Sequence, residues 1–367
     1  LPPGDYVVEF ARGPEYLTGR KWIHVPDGVS THEEVFELRR WVHPAVEGWY
    51  SSDHHIHAAG CSHYEIPEQG VPPEAMWRQI VGEDVNVGSI LNWAPGWSFQ
   101  QRFFEGGVNP LSTDQNVLRY DVEVSGFPSS HAGHLALLNL KEDDYPGTST
   151  IEEWPSWGVP VLEWAKGQGG VTGYAHSGYG LEPMEPTDEL PNYVTPRMDG
   201  NGAQEYLVAV TRSVVDFISV GNTPHQWSLN MWYHTLNVGF RTHIGGESDF
   251  PCIYHQRVAM ARTYAKVDDL LTFQRYMDAV RRGRSYVSDG KSHIVDFAVN
   301  GVEMGTRESE VHLQGASTVR VTARVAARLA DVQDDLGAVI ASHGHDENQK
   351  PYWDIERARI GTSRRVP

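Results

Sequence analysis

The chain holds only two cysteines, Cys61 and Cys252, in 367 residues. Two cysteines cannot build a disulfide framework, and they say nothing of the compartment. No apolar run approaches the ~20 residues a membrane span needs, so a soluble chain is expected. Basic residues are scarce: 30 Lys+Arg stand against 48 Asp+Glu, for a formal net charge of −18. Such a chain repels phosphate backbones unless a local basic patch intervenes. No Lys/Arg cluster lies near the histidine motifs described below, and no nucleic acid partner is expected. Internal repeats and low-complexity segments are missing too. The chain starts at Leu1, without Met, and ends at Pro367; both ends read as trimmed or processed, so the lack of a targeting segment proves little.

What is present is the composition of a folded protein, 40% hydrophobic and 11% aromatic, with twelve tryptophans for cores or pockets. The length suits one large α/β domain of roughly 200–250 residues with smaller modules attached. Residues 1–48 read as β-rich, through Asp5–Phe10, Lys21–Val25 and Val35–Leu38. From Trp49 to Gly290 short apolar runs alternate with helical stretches, the signature of β/α repetition. Strands are expected at 85–91, 117–124, 134–140, 170–175, 214–220 and 240–245, the run from His134 to Leu140 apolar as in a parallel core. Helices are expected at 71–80, which starts on prolines, at 150–166, 203–211 and 226–236, and at 267–282 as a long closing helix. Residues 291–367 change texture: Thr318–Val325 alternates polar against apolar, as in a half-exposed antiparallel strand. A β-sandwich-like module is expected there.

The chain's densest chemistry lies in Trp49-Tyr50-Ser51-Ser52-Asp53-His54-His55-Ile56-His57, with His63 six residues further on. In an extended strand residues two apart share a face, so His55 and His57 can reach one ion. Four other predicted strand ends carry matching residue types: Glu123, His134, His176 and Asp249. Polar residues at strand ends converge on one rim of a β/α fold. A lone histidine at a strand end is usually a hydrogen-bonded core residue. Five strand ends of one residue class are not explained that way. Imidazoles and carboxylates suit Zn, Mn or Fe(II), and a carboxylate can bridge two ions.

The order H-x-H, E-V strand, G-H before an apolar strand, A-H and G-x-S-D resembles the polymerase and histidinol phosphatase (PHP) superfamily of metal-dependent hydrolases. Gly48–His57 and Gly283-Arg284-Ser285-Tyr286-Val287-Ser288-Asp289-Gly290 resemble its carbaryl hydrolase-like (CehA/McbA) branch. The likeness covers roughly residues 48–300. It implies a distorted (β/α) barrel holding two or three divalent metals, here at residues 49–290 between the β-rich modules read above at 1–48 and 291–367. It implies His55, His57, Glu123, His134, His176 and Asp249 as metal ligands, and places His63 where some members carry a further one. Departures are Asn92-Trp93 in place of an aspartate-histidine pair, Pro251 in place of a terminal histidine, and Ser219 in place of a glutamate. One or two ions are therefore expected rather than three, Zn first, then Mn or Fe.

Asp53 is expected to orient a ligand imidazole, with His54 as its neighbour. Cys61 and Cys252 each fall near a ligand and are expected to be spatial neighbours, as a disulfide or a thiol pair. Trp93 and Trp97 are expected in a substrate cleft with Phe99, Phe103 and Phe104 nearby, and Tyr179 and Arg197 as donors to substrate. The function expected is hydrolysis of an ester, amide or carbamate, with Asp249, His176 or His134 handling the proton. Phosphoester cleavage is the second chemistry, since phosphate calls for Lys or Arg, in which these segments are lean. A non-catalytic carbohydrate- or surface-binding protein with a decayed site is the reading from another class. The expected partner is a small-molecule or carbohydrate-like substrate, in a periplasmic or extracellular setting.

Overall fold

Val87–Asn92 and Val117–Val124 are buried at every position, as strands covered on both faces must be. They lie in the middle of a nine-stranded sheet in the computed structural model, which describes residues 1–328 apart from 185–189, 195–196, 254 and 307–308. The strands are β1 (Trp49–Ile56), β2 (Val87–Asn92), β3 (Val117–Val124), β4 (Leu135–Leu138), β5 (Val171–Tyr174), β6 (Phe217–Val220), β7 (His243–Gly246), β8 (Arg262–Lys266) and β9 (Ser285–Ser288). Their order is β7-β6-β5-β4-β3-β2-β1-β8-β9. The sheet curls into a distorted, nearly closed barrel with helices packed outside, the fold class expected from the sequence.

Two features differ from the expected pattern. First, β4 is antiparallel to both β3 and β5, not a member of a parallel core. A reversed strand puts its amino end where parallel strands put their carboxyl ends, and His134 precedes β4 directly. Second, the expected helix over 267–282 is confined to Phe273–Arg281, capped by Thr272, whose side chain accepts the Arg275 N–H. Before it, Thr263-Tyr264-Ala265 joins β1 as part of β8, since β-branched and aromatic side chains pack well on a pleated surface.

Helix α1 (Pro73–Gly82) starts on prolines, where the missing N–H is no loss, and buries Met76 and Ile80 one turn apart. Ile80 sits so close to β2 that a Cβ on Gly88 would lie 2.3 Å from its Cδ1. The barrel also approaches itself closely at Gly246, where a Cβ would meet the Arg262 backbone at 2.6 Å. At the amino end, Gly4–Phe10 and Gly19–Val25 form an antiparallel hairpin. Residues 35–38 form no strand; Phe36 instead packs its ring on Phe10, with centroids 4.9 Å apart. After β9, short strands form two small antiparallel sheets, and only Val321–Thr322 and Val325–Ala327 of the alternating stretch pair. The rest of the expected carboxy-terminal module, 329–367, lies outside the described residues. No helix among the described residues is long and apolar enough to cross a membrane.

The barrel closes on β1. Its lower half, Trp49–Ser52, pairs with β8. Its upper end pairs with the segment after β7: Asp249 N–H donates to His55 O at 2.9 Å and His57 N–H to Phe250 O at 2.7 Å. At the fork between the two partners sits Asp53, fully buried. Its carboxylate accepts the N–H groups of Ala259 (2.7 Å), His55 (3.1 Å) and Ser248 (3.2 Å), and the Ser248 hydroxyl. The Cys61–Cys252 disulfide, Cα atoms 5.1 Å apart and 191 residues apart in sequence, ties the loops beyond the fork.

Asp53→Asn turns one acceptor oxygen into a donor facing donors; equilibrium denaturation should show a loss of about 2–4 kcal/mol. Cys61→Ser with Cys252→Ser should cost about 2–5 kcal/mol by the same measurement, because a long denatured-state loop is released. An unchanged midpoint for either would contradict the closure described.

Candidate metal centre

Five strand ends converge on the rim above the fork. His55 in β1 and His57 just beyond its end bring their Nε2 atoms to 3.0 Å of each other. Glu123 comes from β3, His134 from the residue before β4, His176 from just after β5 and Asp249 from just after β7. His176 and Asp249 hold left-handed backbone, with φ of +30° and +51°. Such conformations cost about 1–3 kcal/mol each outside glycine and persist where the surroundings over-determine them.

Glu123 stands between two groups of candidate ligands. Its Oε2 lies 3.1 Å from His57 Nε2 and 3.4 Å from His55 Nε2. Asp249 Oδ1 completes that side, 3.1 Å from His57 Nε2 and 3.5 Å from His55 Nε2. Glu123 Oε1 faces the other way, 3.2 Å from His134 Nδ1 and 3.4 Å from His176 Nε2. Those last two nitrogens are 3.2 Å apart. Both triads, His55–His57–Glu123 and Glu123–His134–His176, have ligand atoms close enough to hold an ion.

Electrostatics make the cluster a cation trap. Burial alone would raise the Glu123 carboxyl, yet the charge of His55 and hydrogen bonds with His134 and His176 hold it well below its ordinary value. Burial likewise disfavours charge on His57, but the close carboxylates of Asp249 and Glu123 push it up to about 9. His55 is raised in the same way by Asp249, Glu123 and Glu247 against its burial. Buried carboxylates thus demand positive charge, and a divalent ion supplies it as well as a proton does. The donor set fits such an ion. Asp249 Oδ1 is buried facing His55 and His57 yet makes no hydrogen bond of good geometry, and nitrogen with carboxylate oxygen suits Zn, Mn or Fe.

Ring orientation is held from behind. His57 Nδ1 is 2.8 Å from Leu91 O, which also accepts from Gln100 Nε2. His55 Nδ1 is 2.8 Å from Glu247 Oε2. Glu247 therefore does what was expected of Asp53, whose carboxylate serves backbone at the fork instead. Glu247 stands two residues before Asp249 in Gly245-Gly246-Glu247-Ser248-Asp249. Its only signal in the sequence was a second acid beside a candidate ligand. His54 lies behind the cluster, its Nε2 3.0 Å from Ser219 Oγ.

A cavity of about 260 Å³ opens on the cluster, bordered by Trp93, Ser125, Tyr179 and Asn201 as well as the candidate ligands His57, Glu123, His134, His176 and Asp249. Trp93 lies over Gly60, donates to Ala59 O at 2.8 Å and tilts against the His57 ring. Three expected site residues are elsewhere. Trp97 packs edge-on against Phe127 and Trp154 in the core, because the short helix Trp97–Gln100 turns it away from the rim. Arg197 is at the surface in an ion pair with Glu182 at 2.7 Å. His63 is exposed and stacked on His255, ring centroids 5.1 Å apart, and belongs to neither triad.

No family model matches the chain, and no curated protein does. Solved structures similar to it include a two-domain protein from Bacteroides vulgatus described as containing a predicted PHP-like metal-dependent phosphoesterase. It shares 13% identity at a TM-score of 0.43, over 68% of this chain and 73% of that one. PsfC from Pseudomonas syringae shares 14% at 0.43, over 66% and 91%. Endonuclease Q, solved with a 27-mer duplex carrying an abasic lesion, shares 14% at 0.38, over 69% and 63%. That complex overturns the exclusion of nucleic acid drawn above from net charge. Bulk charge sets a long-range field, not the lining of one cleft.

Proposed function

We propose that this chain is a metal-dependent hydrolase holding two divalent ions, one on each side of Glu123, and cleaving an ester, amide or carbamate. The observation that carries the reading is the division of Glu123, each oxygen facing its own pair of imidazoles. Ions bound there would supply Lewis acidity and water with a pKa lowered towards 7. Residues 49–290 contain every residue of the cluster, and the carbaryl hydrolase-like branch is the one that the β1 stretch resembles.

The protein's own groups supply the rest. Asp249 borders the cavity beside the cluster, where its carboxylate is placed to take a proton as general base. Leu91 O and Glu247 fix the rings of His57 and His55. Trp93 and Tyr179 offer flat surface to an acyl or aryl group. The described residues around the cavity include no Lys or Arg. A transferring phosphoryl group draws on such cations, so a carbonyl substrate suits the cleft better. The disulfide supports an extracytoplasmic setting.

Metal analysis of the purified chain should find up to two ions per chain. Glu123→Ala should lose both, and His57→Ala should lower hydrolysis by about two orders of magnitude or more. With Zn, Mn or Fe(II) added, aryl esters and aryl carbamates should turn over faster than aryl phosphodiesters. The reverse order would replace the carbonyl reading with phosphoester cleavage. Absence of both metal and hydrolysis would leave a binding protein.

A further inference from the structure

We infer that Glu247 is a positioning residue for both halves of the centre, selecting the metal-binding tautomer of His55 and seating the backbone of His176. The inference rests on the two-ion reading above and adds a residue that the ligand pattern does not include. Glu247 is entirely buried and takes no part in lining the cavity, so it meets no substrate.

Its two oxygens do different work. Oε2 lies 2.8 Å from His55 Nδ1. A carboxylate there is satisfied only by an N–H, which puts the ring proton on Nδ1 and leaves the Nε2 lone pair free. That Nε2 is the atom facing Glu123 and Asp249. Oε1 accepts the backbone N–H of His176 at 2.6 Å. His176 is the residue at φ +30°, so this bond holds a backbone that the chain would otherwise leave. Its ring then points Nε2 at the other oxygen of Glu123. His54 does not compete for the role: its Nε2 is 3.7 Å from Glu247 Oε2 and 3.0 Å from Ser219 Oγ. Glu247 is also carried by the strand end that delivers Asp249, so one segment supplies a ligand and braces two others.

The test is Glu247→Gln in the full chain, titrated with Co(II) by calorimetry. Gln keeps the volume but loses the charge and one acceptor. Both binding steps should weaken by about 10–100-fold, while His54→Gln, one residue from the same ligands, should not reproduce the effect. Nitrogen-15 imidazole spectra of the Zn(II)-loaded wild type give a readout that needs no variant: His55 should carry its proton on Nδ1. Wild-type affinity in Glu247→Gln, weakening of one step only, or a proton on His55 Nε2 would each overturn the role. A wild type that binds no metal would instead overturn the hydrolase reading and this inference with it.

Discussion

The rest of the site depends on how β1 shares its free edge. Its lower half is paired by β8, and its upper end is paired by the segment after β7. Backbone hydrogen bonds in the interior must be made by one partner or another, so the changeover needs something to receive the donors at the fork. Asp53 receives three backbone N–H groups there, and the Ser248 hydroxyl besides. This arrangement sets Asp249 beside His55 and His57 at 3.1–3.5 Å from their Nε2 atoms. The same segment delivers Glu247 behind them. Without the closure, the H-x-H pair would face an open sheet edge.

Above the fork, the cluster concentrates anionic carboxylates and imidazoles in a volume largely removed from water. Such a group is stable only with compensating positive charge. Protons supply it in part, as the raised His55 and His57 show. Divalent ions would supply it more compactly and would engage the Asp249 oxygen that now lacks a hydrogen bond. The local strain at His176 and Asp249 fits the same logic, since non-glycine left-handed backbone persists where function requires a particular direction.

Much of the cluster was legible from residue type and position alone. Alternation along β1 put His55 and His57 on one face, and strand-end glycines and apolar runs marked Glu123, His176 and Asp249. Aromatic side chains were less legible. Trp93 and Trp97 stand in the same short stretch, yet one lines the cavity and the other is core; the turn after β2 decides between them. Arg197 had the chemistry of an anion anchor, but its loop spends it on Glu182. The duties of Asp53 and Glu247 were not separable either, because both are acids flanking ligands and differ only in what reaches them.

The sequence by itself determined the ligand chemistry: which side chains can bind a cation, and that they recur at strand ends. Periodicity and residue type are local properties and survive without a fold. Tertiary structure alone decided that β4 runs backwards, which brings His134 to the rim as the neighbour of His176. It also decided that Glu123 stands between two groups rather than at the edge of one, and that Glu247, not Asp53, holds an imidazole. These are matters of direction and register between segments far apart in the chain, and they are settled only when backbone pairing, burial and charge are satisfied together.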